Sequence, residues 1–167
     1  MRRRHLLGWG GAAAVTALLA TAGAISIRPG LLQGRLTPAG EDLINAVGRA
    51  MLQGSIPGGL PEQRELAGLR RRFEELVQAL PSHVQGEIEE LLAALLHPIG
   101  CRMLTDVALD WTTASSAQVQ SVLSDMQRSK LKLRRQAYLA LHDLIGGAYF
   151  ADPQTWALLG YPGPVAV

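Results

Sequence analysis

Apolar residues recur at steps of three and four along most of the chain. The clearest stripe is Leu66, Leu69, Phe73, Leu76, Val77 and Leu80, on a helix opened by Pro61-Glu62. Arg70, Arg71, Arg72, Glu74 and Glu75 fall mostly away from that stripe. Upstream, Leu43, Ala46, Val47, Ala50 and Met51 predict a helix reaching Gln53, with Thr37 as N-cap, Pro38 at the first position, and Glu41 and Asp42 favouring the dipole. Gly54 to Gly59, with Pro57, stops it. Pro81-Ser82 breaks and recaps the chain, and Val84, Ile88, Leu91, Leu92, Leu95 and Leu96 give a third helix that ends near His97-Pro98-Ile99-Gly100. Met103, Leu104, Val107 and Trp111 suit a short helix within 101–114. Ser115-Ser116 caps a helix over 117–129 with Val119, Val122, Leu123 and Met126 inward, and Leu133, Ala137, Leu141, Leu144, Ile145 and Ala148 predict a longer one over 131–150. No stretch alternates with period two, and no repeat of 20–50 residues is evident. The expected fold class is all-α: a small irregular bundle of about five helices behind an N-terminal signal helix, with residues 1–24 as signal, 25–36 as linker and 37–167 as the helical domain.

The leader is read from a different pattern. Three arginines, Arg2 to Arg4, precede a stretch from Leu6 to Ile27 without a charged residue, rich in glycine and alanine. It contains a basic n-region, an apolar h-region and small-x-small sites that place cleavage after Ala22 or Ala24. Arg3-Arg4-His5-Leu6-Leu7 fits a twin-arginine export signal: an arginine pair, one spacer, then two apolar residues. The weak hydrophobicity of the run suits that route. An uncleaved anchor and a general secretory signal with an accidental arginine pair are the competing readings.

Charge changes the picture once the leader is set aside. The 167 residues carry 16 basic and 14 acidic side chains. Without Arg2, Arg3 and Arg4 the balance is 13 against 14, so the sequence pI near 9.0 is largely an N-terminal effect. A nucleic-acid-binding domain keeps its basic excess in the folded body, which disfavours that class. The run Arg128, Lys130, Lys132, Arg134, Arg135 faces either anionic lipid, an acidic partner, or simply solvent. With no interleaved aromatics it is a poor strand-binding groove.

Catalytic chemistry is hard to find. There is no phosphate loop after a strand, no nucleophile elbow and no HExxH pair. His97 and Cys101 are four apart, but Pro98 and Gly100 between them are expected to break a shared helical face, and a metal would need two further ligands. Cys101, the single cysteine, excludes an internal disulfide and is expected as a small buried hydrophobe rather than a reactive thiol. Glu74-Glu75 and Glu87, Glu89 and Glu90 read as solvated helix faces.

The end of the chain is the most distinctive stretch. Asp152-Pro153 restarts a short helix that Gly160 ends, and Tyr161-Pro162-Gly163-Pro164 departs as a turn or extended segment. Tyr149, Phe150, Trp156 and Tyr161 are half of the chain's eight aromatics, placed within thirteen residues. Such clustering suits either a local core plug or an interface hot spot. Residues 138–164, with the Tyr-Phe-x-Asp-Pro step, the following Trp and the closing Gly-Tyr-Pro-Gly, resemble the end of the small (gamma) subunits of bacterial membrane-bound flavin dehydrogenases. That group includes the gluconate 2-dehydrogenase subunit 3 family and the small subunits of glucose and sorbitol dehydrogenases. A twin-arginine leader on a small helical body is also typical of them.

The resemblance implies a non-catalytic subunit with no cofactor of its own. Its partner would be a large FAD-dependent catalytic subunit, exported folded through the twin-arginine translocase that Arg3, Arg4, Leu6 and Leu7 engage. Electrons would pass to a multihaem cytochrome c subunit, and the complex would sit in the periplasm at the outer face of the inner membrane. Tyr149, Phe150, Asp152, Pro153, Trp156, Tyr161, Pro162 and Gly163 are the docking positions this implies. Two rivals stand beside it: an independent exported helical ligand-binding protein, and a small exported enzyme using Cys101 or His97.

Overall fold

The computed structural model describes residues 28–56 and 60–159. The leader residues Arg3, Arg4, Leu6, Leu7, Ala22 and Ala24, and the terminal Tyr161, Pro162 and Gly163, lie outside them. The described residues form an all-α bundle of six helices: α1 (Pro38–Met51), α2 (Leu60–Gln78), α3 (Ser82–Leu96), α4 (Pro98–Thr105), α5 (Ser116–Arg128) and α6 (Lys132–Phe150). A two-stranded hairpin, β1 (Leu31–Leu32) and β2 (Arg35–Leu36), precedes them, and a 3₁₀ segment, Pro153–Leu159, follows.

Helix α1 is the centre. Half of its residues are buried, because α2, α3, α5 and α6 pack around it. Its start is as the sequence dictates: Thr37 Oγ1 accepts from the Gly40 N–H at 3.2 Å, and Pro38, which has no N–H to lose, opens the first turn. Leu43, Ile44 and Val47 from α1 meet Leu66, Leu69, Phe73 and Val77 of α2 and Leu141, Leu144, Ile145 and Ala148 of α6 in one continuous core. Each fully buried large side chain contributes about 1.5–3 kcal/mol relative to exposure.

Residues 28–36, expected as linker, are built into this core. Gln33 and Gly34 both have positive φ, the geometry of a tight hairpin turn, and Leu31 pairs with Leu36 across it. Leu31 is buried, and the hairpin is tied to its neighbours by the Leu36 N–H on Glu74 Oε1 at 2.8 Å and by Gln78 Nε2 on the Gly34 carbonyl at 3.1 Å. Gly40 lets α1 approach so closely that a Cβ there would overlap the Gly30 carbonyl oxygen.

The count of six rather than five follows from residues 97–105. His97-Pro98-Ile99-Gly100 ends α3 and at once starts α4. His97 is the N-cap, its Nδ1 accepting from the Ile99 N–H at 3.3 Å, and Pro98 takes the first helical position. Pro98 and Gly100 therefore do not break the helix that carries Cys101. The helix stops at Thr105, short of the expected reach to Trp111, because Asp106 turns left-handed with φ 70°. Trp111 still enters the core from the following loop, where its indole N–H donates to the Leu95 carbonyl at 2.8 Å. Pro81, not Ser82, occupies the N-cap of α3, while Ser115 and Gln118 form a full capping box on α5.

Candidate functional site

The sequence pattern at the end of the chain becomes one packed unit in the structure. Helix α6 carries Tyr149 and Phe150 on its last turn, and their rings meet edge to face at 5.2 Å. The chain then turns through Ala151 into the 3₁₀ segment, as the Asp-Pro pair predicts. Asp152 Oδ1 accepts from the Gln154 N–H at 3.0 Å, and Pro153 takes the first position. Thr155 is buried and satisfies its hydroxyl on the Asp152 carbonyl at 2.7 Å. Trp156 folds back, its indole N–H donating to the Phe150 carbonyl at 2.7 Å.

What fixes this unit to the bundle is Arg72, a residue of α2 expected from its sequence position to face away from the core stripe. Its side chain is 10% exposed. Nε donates to the Ala148 carbonyl at 2.9 Å, and one terminal nitrogen pairs with Asp152 Oδ2 at 2.9 Å. The guanidinium thus holds the C-terminal end of α6, where the helix dipole favours a cation, and the carboxylate that opens the next segment. Arg70 is likewise engaged, with Asn45 Oδ1 at 2.8 Å and Glu41 at 3.3 Å, whereas Arg71 is solvated.

The expected docking positions divide accordingly. Tyr149 lies in the core at 1% exposure, its hydroxyl donating to the Ser55 carbonyl at 3.0 Å. It is the plug that the aromatic clustering allowed, and its side chain offers a partner nothing to touch. Burial, with a smaller contribution from the Glu65 carboxylate, raises its phenol above the ordinary value of 10. Phe150 and Trp156 are half-buried and Pro153 is exposed. Asp152 is turned inward to Arg72. No local motif marks Arg72, Ser55 or Thr155 in the sequence, because their partners are distant in the chain or are backbone carbonyls.

Cys101 and His97 share no site. Cys101 is buried at 2% exposure, with its thiol 3.6 Å from Thr105 Oγ1 and 3.7 Å from the Val107 carbonyl. His97 is buried as a cap. Among the described residues no three His, Cys, Asp or Glu side chains are placed to hold a metal ion, and no helix is long and apolar enough to cross a membrane. No family model, curated protein or solved structure matches the chain.

Proposed function

We propose that this chain is the non-catalytic small subunit of an exported flavin dehydrogenase acting on a sugar, sugar acid or polyol. It would bind the FAD-containing catalytic subunit and carry it, already folded, through the twin-arginine pathway to the periplasm. The observation that carries the reading is the sequence pattern over 138–164 joined to an arginine-pair leader. The geometry of the C-terminal unit supports it: Arg72 and Asp152 tie the segment to α2, and half-buried Phe150 and Trp156 with exposed Pro153 lie along its edge. A rigid aromatic edge binds a partner with little ordering cost. FAD chemistry would belong entirely to the partner, and a multihaem cytochrome would receive its electrons.

Affinity purification of the tagged full chain from membranes and periplasm tests the reading. A large chain with flavin absorbance should accompany it in stoichiometric amount, and Trp156→Ala should lose that chain while keeping its helical signal. Purification of the wild-type protein alone, or a flavoprotein held equally well by the variant, contradicts it.

A further inference from the structure

Away from the C-terminal unit, α4 with the residues just after it, the α5–α6 turn and the start of α6 come together at one corner. Arg134 joins them: Nε donates to the Met103 carbonyl at 2.8 Å and a terminal nitrogen pairs with Asp106 at 2.9 Å. Arg135 closes the turn on the Ser129 carbonyl at 2.6 Å. Among the described residues six large apolar side chains are exposed, and four of them, Ile99, Met103, Val107 and Leu131, belong to these segments. Ile99 and Met103 lie one turn apart on α4, and Leu131 sits three residues before Arg134 on its side of α6.

The charge is equally uneven. Between 102 and 135 the chain carries six basic and three acidic residues, a net of three positive charges. The other described residues carry seven basic and eleven acidic, a net of four negative. Asp106 and Asp125 are each occupied by an arginine, Arg134 and Arg128. Lys130, Lys132, Arg135 and Arg102 are all exposed, Lys130 and Lys132 on either side of Leu131 in the chain and Arg102 next to Met103.

We infer that this corner is a membrane-surface contact for anionic phospholipid. Aliphatic side chains set singly among long basic ones suit the headgroup boundary, where the apolar tips enter the acyl region and the cationic ends remain at the phosphates. A protein interface would favour tyrosine, tryptophan and phenylalanine at its centre and few lysines. The named residues of this corner include two lysines and no aromatic. The inference goes beyond the proposed subunit role and stands without it. It gives the folded body its own attachment to a bilayer, separate from residues 1–27.

Flotation of the full-length chain with vesicles of phosphatidylcholine, alone or mixed with phosphatidylglycerol, tests this. Residues 1–27 are the same in every variant, so a difference between variants reports on the folded body. Each basic side chain near an anionic surface is worth about fivefold in binding. Lys130→Gln, Lys132→Gln and Arg135→Gln together should therefore weaken binding to the anionic vesicles about a hundredfold at low salt. The control triple Arg35→Gln, Arg64→Gln and Arg71→Gln, equal in charge removed and exposed in the fold, should change it little. Leu131→Ser with Met103→Ser should weaken it severalfold at unchanged charge. Equal losses in the two triple variants, no loss in either, or a patch that retains an acidic protein but shows no preference for anionic vesicles would overturn the inference.

Discussion

Arg72 and Asp152 stand 80 residues apart in the chain and 2.9 Å apart in the fold. The pair closes the C-terminal unit onto α2, and the same guanidinium holds the last turn of α6 through Ala148. Removing one partner leaves the other poorly compensated and largely out of water. Asp152→Ala should cost about 2 kcal/mol in urea unfolding, hydrogen bonds to charged groups being worth about 1.5–3. Arg72→Met combined with Asp152→Ala should cost less than the two single changes added, because the double variant leaves no orphaned charge. Additive costs would mean that the pair is not coupled.

Tyr149 ties α6 to the loop after α1 through Ser55, so Tyr149→Phe should cost about 1 kcal/mol. The pH dependence has a definite sign. The folded phenol ionises above its ordinary value of 10, so the unfolded chain releases that proton first. The stability tied to Tyr149 is therefore fully present below pH 10 and is lost as pH rises from there through the folded value. Equilibrium unfolding across that range should show the wild type losing stability faster than Tyr149→Phe.

Cys101 should behave as a core side chain. A thiol reagent should modify it at the rate of unfolding, not at the rate of a free thiol, because its sulfur is packed against Thr105 and the Val107 carbonyl. Fast labelling of the native chain would contradict the buried placement.

Two glycines separate close approach from ordinary helix propensity. Gly40→Ala would force a Cβ into the Gly30 carbonyl, displacing the hairpin from α1, and should cost about 3 kcal/mol. Gly86 has nothing within 4 Å of a Cβ, so Gly86→Ala within α3 should stabilise by about 0.5–1 kcal/mol. Thermal unfolding of the two variants would show shifts of opposite sign.

Much of this architecture is legible in the sequence where one residue decides the local outcome. Thr37-Pro38, Ser115-Ser116 and Asp152-Pro153 each start the segment they announce, because capping is a contest among near neighbours. Leu66, Leu69, Phe73 and Val77 are buried as their spacing requires, with Leu76 half-buried at the edge of the stripe. The hairpin at Leu31–Leu36 escaped the pattern because strands of two residues cannot show alternation, and Gln33-Gly34 is a weak form of the usual turn pair. Pro98 is both a stop and a start: His97 before it caps, and proline suits the first position of a new helix. Arg72 was invisible for a different reason. On α2 it looks like its solvated neighbour Arg71, and only the return of α6 across that helix gives it a carbonyl and a carboxylate to hold.

If, as we propose, this chain exports a flavoprotein that lacks a signal of its own, the location of that partner depends on Arg3 and Arg4. The most direct measurement is FAD-loaded dehydrogenase activity in the periplasm of cells making the catalytic subunit with the wild-type chain, with Arg3→Lys and Arg4→Lys together, or with no small subunit. Periplasmic activity with the wild type alone, and inactive or cytoplasmic flavoprotein in the other two, is the predicted result. Equal periplasmic activity in all three would contradict the account.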